Sequence, residues 1–350
     1  MAEEIRRGKR RMRYTGAHPR RFEEKYKELN PERHAHEVEK VLARGDTPAG
    51  THRSICVREV LEVLDPKPGE VGLDATLGFG GHAQEILPRL LPGGRLYGID
   101  VDPLELPRTE ARLRGLGFSE DVLVTRRMNF AGLLRLLPEV DGGLDFVLAD
   151  LGVSSAQLDN PARGFTYKAD GPLDLRFNPN RGKPAEALLS TLTQEALQDL
   201  LVENADEPYA YAIAHALHGQ SVATTAQLAD LVRRALTAAV PEAARPQETR
   251  KSLQRTFQAL RIAVNDEFRA LEQFLRSLPA CLKPGGRVAI LTFHSGEDRR
   301  VKKAFQAGHR EGVYARIALD PIRPSAEECR ANPRSSSAKL RWAVKAELQN

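Results

Sequence analysis

Glycines and acids crowd one short stretch, Asp74-Ala75-Thr76-Leu77-Gly78-Phe79-Gly80-Gly81-His82, and another acid stands at Asp100. Glycine accepts positive φ and lets the backbone approach a ligand closely, so the stretch reads as a turn that cradles a cofactor between a strand and a helix. Asp100 closes the run Gly98-Ile99-Asp100, where a carboxylate can accept hydrogen bonds from ribose hydroxyls. The spacing Gly78-x-Gly80-x-x-Ala83, with Asp100 following at the right distance, also fits the looser dinucleotide fingerprint. The loop alone therefore leaves two ligands open, a nicotinamide dinucleotide and S-adenosylmethionine. Asp74 favours the second. An acid beside the turn repels a pyrophosphate but attracts the cationic sulfonium and amino group of a methyl donor.

A second cluster is Asp150-Leu151-Gly152-Val153-Ser154-Ser155-Ala156-Gln157-Leu158-Asp159. Open α/β sheets bind ligands at the carboxyl ends of their strands, and this cluster follows an apolar run, Phe146–Ala149. A lone aspartate there is often only a helix cap; the density of small polar groups favours a site.

Five short apolar runs serve as strands: Val71–Ala75, Leu96–Ile99, Val122–Val124, Phe146–Ala149 and Val288–Leu291. Helical patterns separate the first four, which predicts an α/β fold with a parallel sheet covered on both faces. Pro92-Gly93-Gly94 and Pro284-Gly285-Gly286 each stop a helix before a strand that begins with Arg. The helix before the second carries Phe268, Leu271, Leu275, Leu278 and Leu282 on one stripe that should face the sheet. The long gap between the fourth and fifth strands reads as helices, Gln194–Glu203, Pro208–Leu217 and Ala226–Val240, and so as an inserted all-helical domain. The expected divisions are a basic extension over 1–50, a sheet domain over 51–160 and 251–350, and the insertion over 161–250. Val313–Ile317 and Leu340–Val344 predict an antiparallel edge.

The chain has 350 residues and a formal net charge of +5, and 41% of its residues are hydrophobic. That suits a core-forming protein with a polyanionic partner. Three scattered cysteines exclude a disulfide framework and predict a reducing cytoplasm. No apolar run is long enough for a bilayer. His215 and His218 lie one turn apart without acidic or thiol partners, and no metal site is expected. Arg6, Arg7, Lys9, Arg10, Arg11, Arg13, Arg20 and Arg21 form a basic run that suits either a solvated tail or an arm on RNA.

The order of motifs resembles one family. Asp150 to Leu158, Arg163-Gly164-Phe165, Asp170-Gly171-Pro172-Leu173-Asp174-Leu175-Arg176, Phe257-Gln258-Ala259-Leu260-Arg261-Ile262, Phe293-His294-Ser295 with Glu297-Asp298-Arg299, and Asn332-Pro333-Arg334 with Ala338-Lys339-Leu340-Arg341 are similar to the bacterial small-subunit ribosomal RNA cytosine-N4 methyltransferases, MraW or RsmH. The resemblance runs from about His52 onward. It implies a Rossmann-like S-adenosylmethionine-dependent methyltransferase sheet domain with an inserted helical domain, acting on a cytidine of small-subunit ribosomal RNA. It also implies that Gly80, Gly81, His82, Asp100, Phe130, Asp150 and Gln157 hold the donor. Ser54, the segment Lys251-Ser252-Leu253-Gln254-Arg255, Gly296 and Ser336 depart from the family's usual residues, and the basic extension is additional. Together they suggest a divergent branch.

A cytosine amine is a poor nucleophile because its lone pair is delocalised into the ring. Acceptors for its hydrogens localise that pair and stabilise the developing charge. Asp150 leads as that acceptor, followed by His294 and Asp298, which would equally serve a network that holds their loop. Arg163, Arg176, Arg255, Arg261, Arg299 and Arg341 are candidates for RNA phosphates, with salt bridges as the competing role. A nicotinamide-dependent oxidoreductase and a non-catalytic ribosome assembly factor are the alternative functions.

Overall fold

The computed structural model describes residues 54–140, 142–239 and 245–347; the basic extension lies outside the described residues. Seven strands form one sheet: β1 (Val71–Asp74), β2 (Arg95–Asp100), β3 (Leu123–Arg127), β4 (Leu144–Asp150), β5 (Leu282–Thr292), β6 (Tyr314–Ile317) and β7 (Lys339–Lys345). Their order is β3-β2-β1-β4-β5-β7-β6. The first five pair in parallel, while β7 is antiparallel to both β5 and β6. The fold is thus the expected α/β sheet with an antiparallel edge. The order reverses between β1 and β4, the switch point where such sheets bind ligands.

Alternating residues of each strand serve opposite faces. On one face Leu96, Phe146, Leu148 and Leu291 meet helices α1 (Val57–Leu64), α2 (Gly81–Leu90) and α3 (Glu105–Gly115) through Val60, Leu64, Ile86, Leu87 and Leu113. On the other, Tyr97, Ile99, Val147 and Ile290 meet the turn-like segment Phe130–Glu139 and two later helices. Every one of these side chains is at most 2% exposed.

Past β4 come α4 (Ser155–Asp159), α5 (Ala185–Leu189), α6 (Gln194–Ala205), α7 (Ala210–Leu217), α8 (Thr225–Ala239) and α9 (Pro246–Asn265). These helices enclose an apolar cluster separate from the sheet's, built on Leu201, Ile213, Leu228, Val232, Phe257 and Leu260. Leu173 and Leu175 from the loop after α4 join it. Asn265, at the end of α9, fastens that loop: its amide donates to the Leu175 carbonyl at 2.7 Å and its oxygen accepts from Phe177 N at 2.8 Å.

The chain returns to the sheet through α10 (Glu267–Cys281) and finishes with α11 (Ser295–Arg310), β6, α12 (Ala326–Ala331) and β7. Two expectations shift. The buried face of α10 is Ala270, Leu271, Phe274, Leu275, Leu278 and Cys281; Phe268 lies off it and packs its ring 5.8 Å from that of His294, and Leu282 opens β5. Pro284-Gly285-Gly286 lies inside β5, where Leu144 pairs Leu282 but Phe146 already pairs Arg287. The turn residues are taken up as a bulge, which lets one strand include both the helix stop and the core run. No helix among the described residues is long and apolar enough to cross a membrane.

Candidate active site

The carboxyl ends of β1, β2 and β4 bring three acids to one place. Asp74 ends β1, Asp100 ends β2 and Asp150 ends β4. The turn after β1 weaves among them. Gly78 N donates to Asp100 Oδ2 at 2.8 Å, Leu77 N donates to the Ile99 carbonyl at 2.9 Å, and Asp150 N donates to Thr76 Oγ1 at 2.6 Å. Gly80 caps α2 at φ 76°, in left-handed space, and a Cβ there would meet Thr109 Cγ2 at 2.8 Å. A Cβ on Gly81 would meet Ser54 Oγ at 2.1 Å. Ser54, where the family usually has proline, is the wall behind the turn. A Gly80→Ala variant should lose about 1–2 kcal/mol of stability from left-handed strain alone. It should also bind the methyl donor more weakly; thermal unfolding and calorimetric titration read the two effects.

The electrostatics are one-sided. Asp74 is 2% exposed. Burial first, with Asp150 and Asp100 as repelling neighbours, pushes its carboxyl up to about 7, although His82 and the Thr76 amide pull the other way. Asp150 is also pushed up to about 7, by burial foremost and by the charge of Glu297. Burial lowers the His82 imidazole below its ordinary value. The contact of its Nδ1 with Asp150 Oδ2 at 3.6 Å is therefore one of a neutral ring, not an ion pair, near neutral pH. Its Nε2 lies 3.0 Å from the Ile55 carbonyl. Asp150 Oδ1 is buried and has no hydrogen-bond partner. A pocket with three acids and a neutral imidazole suits a cationic ligand and opposes a pyrophosphate.

Behind the pocket stands a residue that the sequence reading passed over. Asp102 is fully buried. Its Oδ1 accepts from the amides of Leu104 and Glu105 and caps the turn into α3. Its Oδ2 accepts from Gln157 Nε2 and from Arg163, both at 2.8 Å. Arg163 also donates to the carbonyls of Arg176 and Phe177. Gln157 completes a capping box with Ser154, accepting from its amide at 3.0 Å. One carboxylate thus joins the β2 end, the β4 loop and the segment leading to the helical layer. The signal in the sequence was Asp102-Pro103, an acid poised to cap a helix.

The loop after β5 divides its expected residues. His294 caps α11, accepting from Glu297 N at 3.4 Å, and its Nε2 lies 3.2 Å from Glu297 Oε1. Glu297, 3% exposed, accepts from Phe293 N at 2.8 Å and is the carboxylate whose charge reaches Asp150. Burial alone would raise Glu297, but His294, Arg261 and the Phe293 amide outweigh it and hold its carboxyl below the ordinary value. Asp298 takes up the network role: its oxygens accept from Lys339 at 2.7 Å and Arg341 at 2.6 Å, so it clamps α11 to β7.

Phe130 follows β3 and packs edge-on against Phe274 with ring centroids 5.2 Å apart. Most of the candidate phosphate arginines are paired. Arg163 is held by Asp102, Arg176 by Asp174, Arg261 by Glu267, Arg341 by Asp298, and Arg299 reaches Asp206 at 3.4 Å. Two departures from the family's usual residues have local reasons. Ser252 donates to the buried Glu207 at 2.9 Å. A Cβ on Gly296 would sit 2.5 Å from the Phe268 ring, over which Arg300 lies at 3.5 Å. Ser336 donates to the Pro333 carbonyl, and nothing further in the structure explains it.

The profile of the MraW methylase family matches residues 49–346. The chain belongs to the MraW methylase family. Within it, the Alkaliphilus metalliredigens protein named Ribosomal RNA small subunit methyltransferase H 2 is 57% identical, covering 96% of this chain and 97% of that protein. Ribosomal RNA small subunit methyltransferase H 1 of Lachnoclostridium phytofermentans is 53% identical, covering 97% and 93%. Ribosomal RNA small subunit methyltransferase H of Heliobacterium modesticaldum is 41% identical and covers 84% of this chain but 98% of its own length. The coverage of the first two leaves too few residues unmatched to omit all of positions 1–48. The basic extension, although outside the family profile, therefore has a counterpart in part of this methylase family.

Proposed function

We propose that this methylase transfers the methyl group of S-adenosylmethionine to the exocyclic N4 amine of a cytidine in small-subunit ribosomal RNA. The observation that carries the reading is Asp150 Oδ1, a buried carboxylate oxygen without a partner beside the glycine turn. The names of the relatives support the RNA, and the acid-rich pocket supports the donor. S-adenosylmethionine supplies, when bound, a methyl carbon activated by cationic sulfur. Gly80 and Gly81 would give its amino-acid end close access to the backbone, and Asp100, which accepts from Gly78 N and Asp102 N, would accept from its ribose with the remaining lone pairs. Phe130 is the aromatic that the family resemblance assigns to the donor, and Gln157 acts by holding the β4 loop in place.

The base must leave its stack to enter the pocket. Asp150 Oδ1 then accepts a hydrogen bond from the N4 amine, which turns the nitrogen lone pair out of conjugation. Asp150 would take the amine proton as the donor's methyl group moved from sulfur to nitrogen. The neutral thioether and the methylated amine leave, and the proton returns to solvent. Glu297 keeps negative charge near that carboxyl, and His294 holds Glu297. Placing nitrogen, carbon and sulfur in line accounts for much of the rate. The division into a sheet domain and an inserted helical domain over 161–250 belongs to the same proposal, supported by the separate apolar cluster of the helices. A cytoplasmic setting follows from the acceptor.

The test is methyl transfer from labelled S-adenosylmethionine to small ribosomal subunits, followed by nucleoside analysis. Labelled N4-methylcytidine is the expected product. Donor binding without any label in RNA would instead favour an assembly factor that kept the pocket, and absence of donor binding would overturn the reading.

A further inference from the structure

Helix α11 starts at the site, on His294 and Glu297, and runs for 16 residues. Its inner side is committed, with Glu297, Asp298, Val301, Phe305 and Gly308 buried. Its outer side carries Ser295, Arg299, Lys302, Lys303, His309 and Arg310, all exposed. Their three- and four-residue steps put them on one stripe.

The stripe is distinguished by its density. Several cations on other helices sit one turn from an acid of their own helix, as in Arg58 with Glu62, Arg114 with Glu110 and Lys251 with Glu248, and those without an ion pair among the described residues, such as Arg234 and Arg276, are scattered. The two acids of α11 are buried and spoken for by His294, Lys339 and Arg341. Lys302, Lys303 and Arg310 have no counter-ion among the described residues. Arg299 and Lys303 lie four apart, like charges that disfavour a helix unless something outside neutralises them. A helix of this length spans about 24 Å, room for several successive phosphates.

We propose that the outer face of α11 is the track for the RNA backbone that flanks the target nucleotide, leading it away from Asp150. The proposal rests on the RNA-methyltransferase reading above and adds the path of the substrate. Arg299, already shared with Asp206, marks the near end; Lys302 and Lys303 make the central phosphate contacts; Arg310 marks the far end. Lysines suit the task because a flexible ammonium follows a backbone without reading its bases.

The test is a Lys302→Ala/Lys303→Ala double variant, measured by filter binding to purified small-subunit ribosomal RNA over a range of salt. Both side chains are exposed, so the fold is expected to be unchanged. Losing two phosphate contacts should make the slope of log affinity against log salt shallower by about 1.4–1.8. Affinity at low salt should fall several-fold, and KM for RNA should rise, with kcat at saturating RNA and donor affinity unchanged. Lys302→Arg/Lys303→Arg should restore binding. Arg58→Ala/Arg89→Ala, which removes the same charge elsewhere, should behave as the unaltered protein. An unchanged slope in the lysine variant, or an equal loss in the Arg58/Arg89 control, overturns the track. If the unaltered protein neither binds the RNA nor methylates it, the functional reading fails first and takes the track with it.

Discussion

Replacing Asp150 by Asn should lower kcat for methyl transfer by about 100- to 1000-fold, the usual size of losing one transition-state acceptor. The amide keeps the volume and offers one oxygen, but it takes no proton and carries no charge. Donor affinity should change far less, because Asp74 and Asp100 remain. The pH profile gives the sharper signature. Burial, then Glu297, pushes the Asp150 carboxyl up to about 7, so kcat/KM should climb with pH to about 7 and level off above it. Stability should run the other way. A carboxyl raised in the folded state stabilises fully below its unfolded value, about 3.9, and that contribution is lost as pH rises through the folded value. Asp74, raised to about 7 mainly by burial, adds to the same trend. The donor-free protein should therefore become less stable between about pH 4 and 7, and Asp150→Asn should flatten part of the decline. Methyl-transfer rates and melting curves across that range check both signs; a variant with a near-normal rate would remove Asp150 from the chemistry.

Replacing Arg163 by Met should destabilise the protein by about 3–5 kcal/mol, because it strands the fully buried carboxylate of Asp102. The loss should also reach activity, since Gln157 hydrogen-bonds the same oxygen and holds the loop that begins at Asp150. Asp102→Asn combined with Arg163→Met should be milder than the sum of the two single changes, as expected for groups that satisfy each other. Chemical denaturation of the two single variants and the double variant measures the coupling. A single-variant loss below about 1 kcal/mol would mean that the pair behaves like an exposed surface bridge.

Much of this frame was legible in the residues. Apolar runs of three to five residues, spaced by helical stripes, gave away the parallel strands because burial on both faces leaves no alternation to hide them. Asp74, Asp100 and Asp150 could be placed together because each ends a strand in a sheet whose ligands bind at the carboxyl edge. The gaps arose where a residue's role depends on what comes near it from far along the chain. Asp298 read equally as a catalytic acid or as part of a loop network, and its network partners, Lys339 and Arg341, come from β7, far along the chain. Asp102 was passed over because its partner Arg163 lies 61 positions on. Pro284-Gly285-Gly286 carries the chemistry of a turn, yet pairing with β4 keeps it inside a strand. The stripe on α10 slipped because Phe268, apolar and correctly spaced, is used by His294 and Arg300 instead of by the sheet.

β7, the last strand in chain order, lies between two strands made before it. Before β7 is in place β6 has no strand to pair with, only α11 to rest on through Tyr314 and Phe305, and Asp298 lacks the cations that hold it. The Cys56 amide, at the entrance to α1, likewise waits for Glu328, to which it donates at 2.9 Å. A nascent chain interrupted before Lys339 would expose the side of β5 and leave the loop bearing Glu297 without its anchor. The last strand therefore reaches the cleft at second hand, by fixing through Asp298 the helix start from which Glu297 faces Asp150.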